Sequence, residues 1–190
     1  MCNGRVKELA YFYGMNTLTA FITGANKGIG LETARILTGK GYHVFIGSRD
    51  PASGAKAIEQ LQSEGLKNVA SILINVTKEA SVQEAYKELS RLIPRLDVLV
   101  NNAGIPGKFP QPATTADDEN LKTVFETNFF GPIRVTRIFL ELLKKSDQPR
   151  IVNVTSDLGS LTLHNDPSWV YYAFNGPTGK YISDYGETPW

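Results

Sequence analysis

Residues 18–39 read LTAFITGANKGIGLETARILTG, and this stretch decides the fold. An apolar, β-branched run at residues 19–23 leads into a G-x-x-x-G-x-G loop between Gly24 and Gly30, and a segment with helical periodicity follows at once. Glycines permit a tight turn and a close approach of the backbone to a pyrophosphate, and a helix amino terminus presents unpaired N–H groups to that anion. Strand, loop and helix in this order predict a phosphate-binding turn, which is favoured over a plain glycine turn.

The same alternation of strand and helix patterns continues along the chain. The predicted strands lie at residues 19–23, 43–47, 69–74, 97–100 and 150–155. The predicted helices lie at residues 28–39, 52–64, 79–93 and 117–145. Short apolar strands that alternate with helices are typical of βαβ units, whose right-handed crossovers build a parallel sheet covered on both faces. We therefore expect an α/β, Rossmann-like, doubly wound parallel sheet with strand order 3-2-1-4-5.

Composition excludes several other classes of protein. A chain of 190 residues with 42% apolar side chains can bury one sizeable core but not a second full domain. The formal net charge of +1 comes without blocks of one sign, so no nucleic-acid or membrane signature is present. The single cysteine, Cys2, rules out an internal disulfide framework and favours a reducing cytoplasm. His43 and His164 lack partners at metal-ligand spacing, so we predict no metal site.

Three regions are expected along the chain. Residues 1–15 are interpreted as a leader outside the fold, an artefact of the translation start or of expression, with a short helical turn as the alternative. Residues 16–156 hold the Rossmann-like nucleotide-binding domain. Residues 157–190 are rich in Gly, Pro, Asn and aromatic residues, and we interpret them as an irregular segment at the active site, either a functional loop or an incomplete substrate region.

Four short motifs, in order, resemble those of the short-chain dehydrogenase/reductase family, and in particular its carbonyl-reductase-like members. They are TGANKGIG at residues 23–30, NNAG at residues 101–104, Asn128 in ETNFFG and Ser156 in IVNVTS. The resemblance implies an enzyme that transfers a hydride between a nicotinamide cofactor and a carbonyl or alcohol substrate.

The resemblance also implies a set of cofactor contacts around the predicted phosphate loop and the ends of the following strands. These are Thr23, Gly24, Asn26, Lys27, Gly28, Ile29, Gly30, Asn75, Val76, Asn101, Ala103 and Gly104. The family usually has an aspartate where this chain has Asn75. An amide oxygen can still accept the bond from the adenine amine that the aspartate would accept.

The end of the second strand favours NADP(H) over NAD(H). An NAD-binding enzyme places an acid there to accept from the ribose 2′-hydroxyl, and that acid would repel the extra phosphate of NADP. This chain has Ser48 at that position, and Arg49 follows it. Arg49 and Lys27 could both pair with the 2′-phosphate. The alternative is that Arg49 pairs with Asp50 or another surface acid and that Lys27 is merely solvated.

The catalytic groups are also assigned by the resemblance. Ser156 would hydrogen-bond the substrate carbonyl and orient it, and Asn128 would support a proton relay. A tyrosine would exchange the proton with the substrate, and a lysine four residues later would lower the pKa of that tyrosine.

No tyrosine after Ser156 has a lysine at this spacing. Tyr185 in YGETP is the best match for the tyrosine and Tyr181 the second, and the alternative for both is an exposed aromatic side chain. Pro189 stands where the lysine belongs, so we expect little or no turnover from the chain as written. We interpret the sequence as truncated, without the C-terminal strands of the full fold.

These observations predict a cytoplasmic, NADP(H)-dependent oxidoreductase that acts on a small carbonyl or alcohol. Its expected partners are that small molecule and, in a homo-oligomer, further copies of the chain, with no nucleic acid and no membrane. A noncatalytic NADP-binding module and a nonfunctional fragment of such an enzyme are the alternatives. The sequence does not identify the substrate.

Overall fold

Five parallel strands form a single sheet in the computed structural model, which describes residues 17–108 and 117–156. The strands are β1 Thr19–Thr23, β2 His43–Ser48, β3 Val69–Leu73, β4 Val98–Asn101 and β5 Arg150–Asn153. Their order is β3-β2-β1-β4-β5, and each neighbouring pair is parallel. The predicted fold class and strand order are confirmed.

Helices connect successive strands. They are α1 Gly28–Gly39, α2 Pro51–Ser63 and α3 Glu79–Leu92, and, between β4 and β5, α4 Asp118–Phe125, a π-helical turn Glu126–Phe130 and α5 Gly131–Leu143. Because the carboxyl ends of parallel strands meet at one edge of a sheet, the segments that follow β1, β2, β3 and β4 come together there.

The last predicted helix, residues 117–145, is not one continuous α-helix. The N–H of Gly131 donates to the carbonyl of Glu126, five residues back, which is the π-helical pattern. Pro132 follows, and it has no N–H to donate to the carbonyl of Asn128. The expectation of a single helix was wrong because this proline cannot continue the α-helical bonding. Asn128 therefore lies in an irregular turn between two helices.

The two faces of the sheet carry separate apolar cores, because successive side chains of a strand point to opposite faces. On one face Ala20 and Ile22 of β1 pack with the buried residues of α1 and α2. On the other face Phe21 packs with α3 and α5, and its ring stacks on Phe139 with the ring centroids 5.0 Å apart. Helices on both faces thus fix the sheet, and with it the strand ends that carry the predicted site.

Contacts divide the chain into two compact units. The first, Met1–Lys108 with Asp117–Asn153, holds the sheet and the helices. The second is Phe109–Ala116 with Val154–Trp190, of which the structure describes Val154, Thr155 and Ser156, all exposed. The predicted leader and the whole of the segment 157–190 lie outside the described residues, so the predicted division into regions stays a prediction. No helix in the described part of the chain is long and apolar enough to cross a membrane.

His43, at the start of β2, makes a prediction about stability. It is 7% exposed and packs on Phe45, and burial lowers the pKa of its imidazole to about 4. In the unfolded chain the histidine pKa is about 6.5, so the unfolded chain binds the proton more readily than the folded chain does. The free energy of unfolding therefore falls as the pH drops from about 6.5 towards 4. Between pH 7 and pH 5 the loss is about 2 kcal/mol.

We expect a His43→Leu variant to lose less stability between these two pH values than the unmodified chain. Urea unfolding of both proteins at pH 7 and pH 5 measures the difference. Equal losses in the two proteins would contradict this account of His43.

Candidate functional site

The glycine loop after β1 has the backbone geometry of a tight turn. Gly24 and Gly28 have φ angles of 65° and 58°, in the left-handed region that other residues rarely adopt. The helix α1 begins at Gly28, and the side chain of Lys27, the N-cap residue, makes no capping hydrogen bond. The N–H groups of the first helical turn thus remain available, with the positive end of the helix dipole, for an anion.

Two glycines of the loop also allow the backbone to lie against the segment that follows β4. A Cβ atom added at Gly24 would lie 2.8 Å from the Cα of Ala103. One added at Gly30 would overlap the side-chain nitrogen of Asn102 and lie 2.8 Å from the Cα of Ala25. Both contacts are shorter than carbon atoms tolerate, so these positions have no room for a side chain.

Hydrogen bonds from Asn102 and Ala103 join the same two segments. The Thr23 hydroxyl accepts from the backbone N–H groups of Asn102 and Ala103, each at 3.1 Å. The Nδ2 of Asn102 donates to the carbonyl oxygens of Thr23 at 2.9 Å and Gly24 at 3.0 Å. We call this set of four bonds the Thr23–Asn102 clamp. It fixes the start of the glycine loop to the end of β4.

A cleft of about 340 Å³ lies at this edge of the sheet. Such a volume suits a small-molecule ligand. The predicted cofactor residues that line it are Gly24, Asn26, Lys27, Gly28, Ile29, Gly30, Arg49, Val76, Ala103 and Gly104. The lining residues that the sequence analysis did not assign are Ile74, Thr77, Asn102, Ile105 and Thr127. Asn102 could have been found from its place in the NNAG motif, whereas the other four residues carried no comparable signal.

Four predicted cofactor residues, all within the described part of the chain, are not among those that line the cleft. One is Thr23, whose hydroxyl belongs to the clamp. Ser48 is buried, and its hydroxyl donates to the carbonyl of Asp50 at 2.9 Å. The Nδ2 of Asn101 donates to Asn153 and Thr136, which ties β4 to β5 and α5. These three side chains support the strand ends from within the fold.

Asn75 is the fourth of these residues. Its Oδ1 accepts from the backbone N–H of Thr77 at 3.1 Å and from the Thr77 hydroxyl at 2.8 Å. The amide oxygen that was expected to accept from adenine already has two donors within the chain. These two hydrogen bonds hold the turn between β3 and α3. A contact between Asn75 and a cofactor stays a prediction.

Two cations, Lys27 and Arg49, line the cleft, and both are exposed. Neither forms an ion pair with another described residue. The Asp50 carboxylate instead accepts from the side chain and N–H of Ser53 and from the N–H of Ala52, which caps α2 and holds the pKa of Asp50 below its usual value. The expected alternative, an ion pair between Arg49 and Asp50, does not form in this structure.

Asn128 uses both polar atoms of its side chain to hold one residue. Its Oδ1 accepts from the N–H of Ile105, and its Nδ2 donates to the carbonyl of Ile105, each at 2.9 Å. Because Ile105 lines the cleft, Asn128 fixes the position of the segment that follows NNAG. Of the other predicted catalytic residues, Ser156 follows β5 by three residues and is exposed, and Tyr185 lies outside the described residues.

The fold and the cleft define an α/β protein of the Rossmann-like, doubly wound type. A family model described as short chain dehydrogenase matches residues 18–173, which is most of the chain. The chain belongs to the short-chain dehydrogenase family. The family resemblance predicted from the motifs is thus confirmed.

Curated relatives and solved structures agree with this membership. A (+)-neomenthol dehydrogenase from Capsicum annuum is 34% identical over 78% of this chain, and a salutaridine reductase from Papaver bracteatum is 32% identical over 77%. The structure of a menthone neomenthol reductase from Mentha piperita is 31% identical, covers 80% of this chain and 68% of its own length, and has a TM-score of 0.70. An actinorhodin polyketide ketoreductase, solved with NADPH, is also 31% identical, covers 75% and 54%, and has a TM-score of 0.70.

The chain spans only part of these relatives. It covers 59% of the Capsicum protein and 58% of the Papaver protein.

The close approach at Gly30 makes a second prediction. Gly30→Ala places a methyl group against Asn102 and the Ala25 backbone, so we expect the free energy of unfolding to fall by ~1–3 kcal/mol. Gly39→Ala is the matched control, because it changes a glycine of the same helix that has open space around its Cβ position. The control should be neutral or stabilising by up to ~1 kcal/mol. Urea unfolding of both variants measures the contrast, and equal stabilities would mean that the loop does not require this close contact.

Proposed function

We propose that the protein is an NADP(H)-dependent oxidoreductase that interconverts a carbonyl and an alcohol group on a small molecule. The observation that carries the proposal is the cleft, in which an uncapped helix terminus and two exposed cations line the same cavity. The bound cofactor would supply or accept the hydride.

The residues of the cleft suit the two phosphate-bearing parts of NADP. The N–H groups at the start of α1, from Gly28 to Gly30, would hold the pyrophosphate, because the absent side chains at Gly24 and Gly30 let the backbone pack closely there. Lys27 and Arg49 would pair with the 2′-phosphate, since both line the cleft and neither is paired with another described residue.

Preference for NADP(H) is supported by what surrounds Arg49. At the end of β2 the residue is Ser48, which brings no negative charge, and its hydroxyl is bonded to the Asp50 backbone. Asp50 does bring a negative charge, but its carboxylate accepts from the N–H groups at the start of α2. No uncompensated acid therefore stands beside Arg49 among the described residues of this turn. Two solved relatives carry NADPH or NADP in their names.

The catalytic roles come from membership of the family. Ser156 would orient the substrate carbonyl, and Tyr185 would exchange the proton with it. Both polar atoms of the Asn128 side chain are bonded to Ile105. Any part of Asn128 in a proton relay would therefore use its main-chain carbonyl, which receives no hydrogen bond from Pro132.

The names of relatives such as neomenthol dehydrogenase and salutaridine reductase support a small carbonyl or alcohol as the substrate. One cysteine in the sequence favours the cytoplasm.

Cofactor preference is the first test of this proposal. The unmodified chain should bind NADPH more tightly than NADH, because two cations can form charge-assisted bonds with the 2′-phosphate worth ~1.5–3 kcal/mol each. Arg49→Asp should remove most of that preference. Lys67→Asp, which makes the same charge change at an exposed residue just before β3, should leave the ratio of the two affinities unchanged.

Isothermal titration of each nucleotide into the three proteins gives these affinities. Equal affinity of the unmodified chain for NADPH and NADH would contradict the assignment of Arg49 and Lys27.

Turnover is the second test. NADPH oxidation is followed with a panel of aldehydes and ketones, for the unmodified chain, Ser156→Ala and Ser90→Ala. Where the chain turns over, loss of the hydroxyl that orients the carbonyl should lower kcat by about 10²–10³ without changing NADPH affinity. The exposed Ser90 on α3 is the matched control and should have no effect. NADPH binding without turnover would agree with the expectation from Pro189, which stands where the family has its lysine, and the noncatalytic module would then be the simpler reading of the chain as written.

A further inference from the structure

Arg134 makes a forked contact that links two separate segments. It lies in the first turn of α5, and its side chain is 16% exposed. One guanidinium nitrogen, Nη1, donates to the carbonyl of Val76 at 2.6 Å, and the other, Nη2, donates to the Glu126 carboxylate at 2.6 Å. Arginine suits two acceptors on different segments because its N–H groups diverge from a rigid plane, whereas all three N–H groups of a lysine leave from one nitrogen.

The first acceptor belongs to one side of the cleft. Val76 and Thr77 follow β3, and both line the cleft; we call them the β3 wall. The start of α5 packs closely on this wall, since a Cβ atom added at Gly131 would lie 3.0 Å from a methyl group of Val76. The Val76 carbonyl is thus held where the start of α5 packs on this wall.

The second acceptor adjoins a different segment of the cleft lining. Glu126 is the first residue of the π-helical turn, and the next residue, Thr127, lines the cleft. Asn128, one further along, holds Ile105 through two hydrogen bonds. We call Thr127 and Ile105 the β4 wall. The Arg134 guanidinium therefore connects the β3 wall with the turn that positions the β4 wall.

We propose that Arg134 is a positioning residue that fixes the two walls of the cleft relative to one another, so that the cleft is formed before the nucleotide binds. Preformed walls raise affinity because no conformational entropy is lost in ordering them on binding. The inference about affinity rests on the proposed function, since it takes NADPH as the ligand. The mechanical coupling between the walls does not rest on the proposed function, because it needs no ligand.

Arg137 provides the matched control. It lies one turn further along α5 and pairs with Glu79 of α3 at 2.9 Å, so it also joins α5 to a neighbouring element. Both partners are more than half exposed, and neither lines the cleft. An exposed pair of this kind contributes little and is screened by salt.

Amide hydrogen exchange tests the coupling without any ligand. The N–H of Thr77 donates to Asn75 within the β3 wall segment, and the N–H of Ile105 donates to Asn128. Arg134→Lys keeps the charge but replaces the rigid fork with a single nitrogen on a flexible stem, so both amides should exchange about threefold faster or more, while the amides of β1 stay unchanged. Arg137→Lys should leave all of them within about twofold of the unmodified chain.

Nucleotide affinity tests the consequence for binding. Glu126→Gln retains an oxygen that accepts from Arg134, whereas Glu126→Ala removes it. Arg134→Lys and Glu126→Ala should each weaken NADPH binding by about tenfold, because each disrupts the pair of charge-assisted hydrogen bonds that the Arg134 fork makes. Glu126→Gln and Arg137→Lys should stay within about twofold. Glu126 is 41% exposed, so its variants should fold and can decide the question even where Arg134→Lys does not.

The outcomes separate the inference from the proposed function. Faster exchange at Thr77 and Ile105 with β1 unchanged supports the coupling. Faster exchange everywhere, at only one of the two walls or at neither overturns it, and so does unchanged NADPH affinity in Arg134→Lys and Glu126→Ala. If the unmodified chain binds no NADPH, the proposed function fails, and hydrogen exchange alone decides the role of Arg134.

Discussion

The Thr23–Asn102 clamp is the constraint on which the rest of the site depends. A glycine-rich loop loses more conformational entropy on ordering than any other kind of loop, so its geometry must be held from outside. The clamp does this with one threonine hydroxyl and one amide side chain, both fixed at the ends of adjacent parallel strands. The absence of side chains at Gly24 and Gly30 makes the contact close enough for these bonds to form. Gly24 therefore combines a positive φ angle with close packing, whereas Gly28 has only the positive φ angle and Gly30 only the close packing.

Local patterns in the sequence predicted most of the fold. The strand order followed from alternating strand and helix patterns and from the handedness of crossovers, both of which are local rules. The glycine loop was equally readable, because its conformation is dictated by its own residues. The π-helical turn was not predicted, although Gly131 and Pro132 stood in the sequence, since the acidic first turn and apolar periodicity on both sides of them indicated a continuous helix.

Side-chain roles at the strand ends were harder to predict, because they depend on which neighbour each polar atom reaches. Ser48, Asn75 and Asn101 stand at positions that face a cofactor by analogy with the family, yet the Ser48 hydroxyl, the Asn75 Oδ1 and the Asn101 Nδ2 bond within the chain. The Asn101 Oδ1 is the exception, because it is buried without a hydrogen-bond partner among the described residues. A buried polar group without a partner lowers the free energy of unfolding by about as much as a lost hydrogen bond. Such groups therefore tend to bond to a neighbour within the chain and not to a ligand that is present only part of the time. The sequence could place these residues at the edge of the sheet but could not show where their side chains would bond. Arg134 carried no sequence signal, because Val76 is distant along the chain and Glu126 lies eight residues earlier, outside the three- or four-residue spacing at which side chains of one helix pair.

The charged groups at the cleft also depend on which neighbour each side chain bonds. Asp50 lies immediately after Arg49, and in an extended chain the two would offset one another. Helix α2 begins at the next residue, and its unpaired N–H groups attract the carboxylate more effectively than an exposed guanidinium does, since hydrogen bonding and the helix dipole act together. The capping of one helix thus leaves Arg49 without an acidic partner among the described residues, while the uncapped start of α1 leaves its N–H groups available in the same cavity. With α2 capped by Asp50 and α1 uncapped, free N–H groups and the two cations Lys27 and Arg49 line one cleft, although the formal net charge of the whole sequence is only +1.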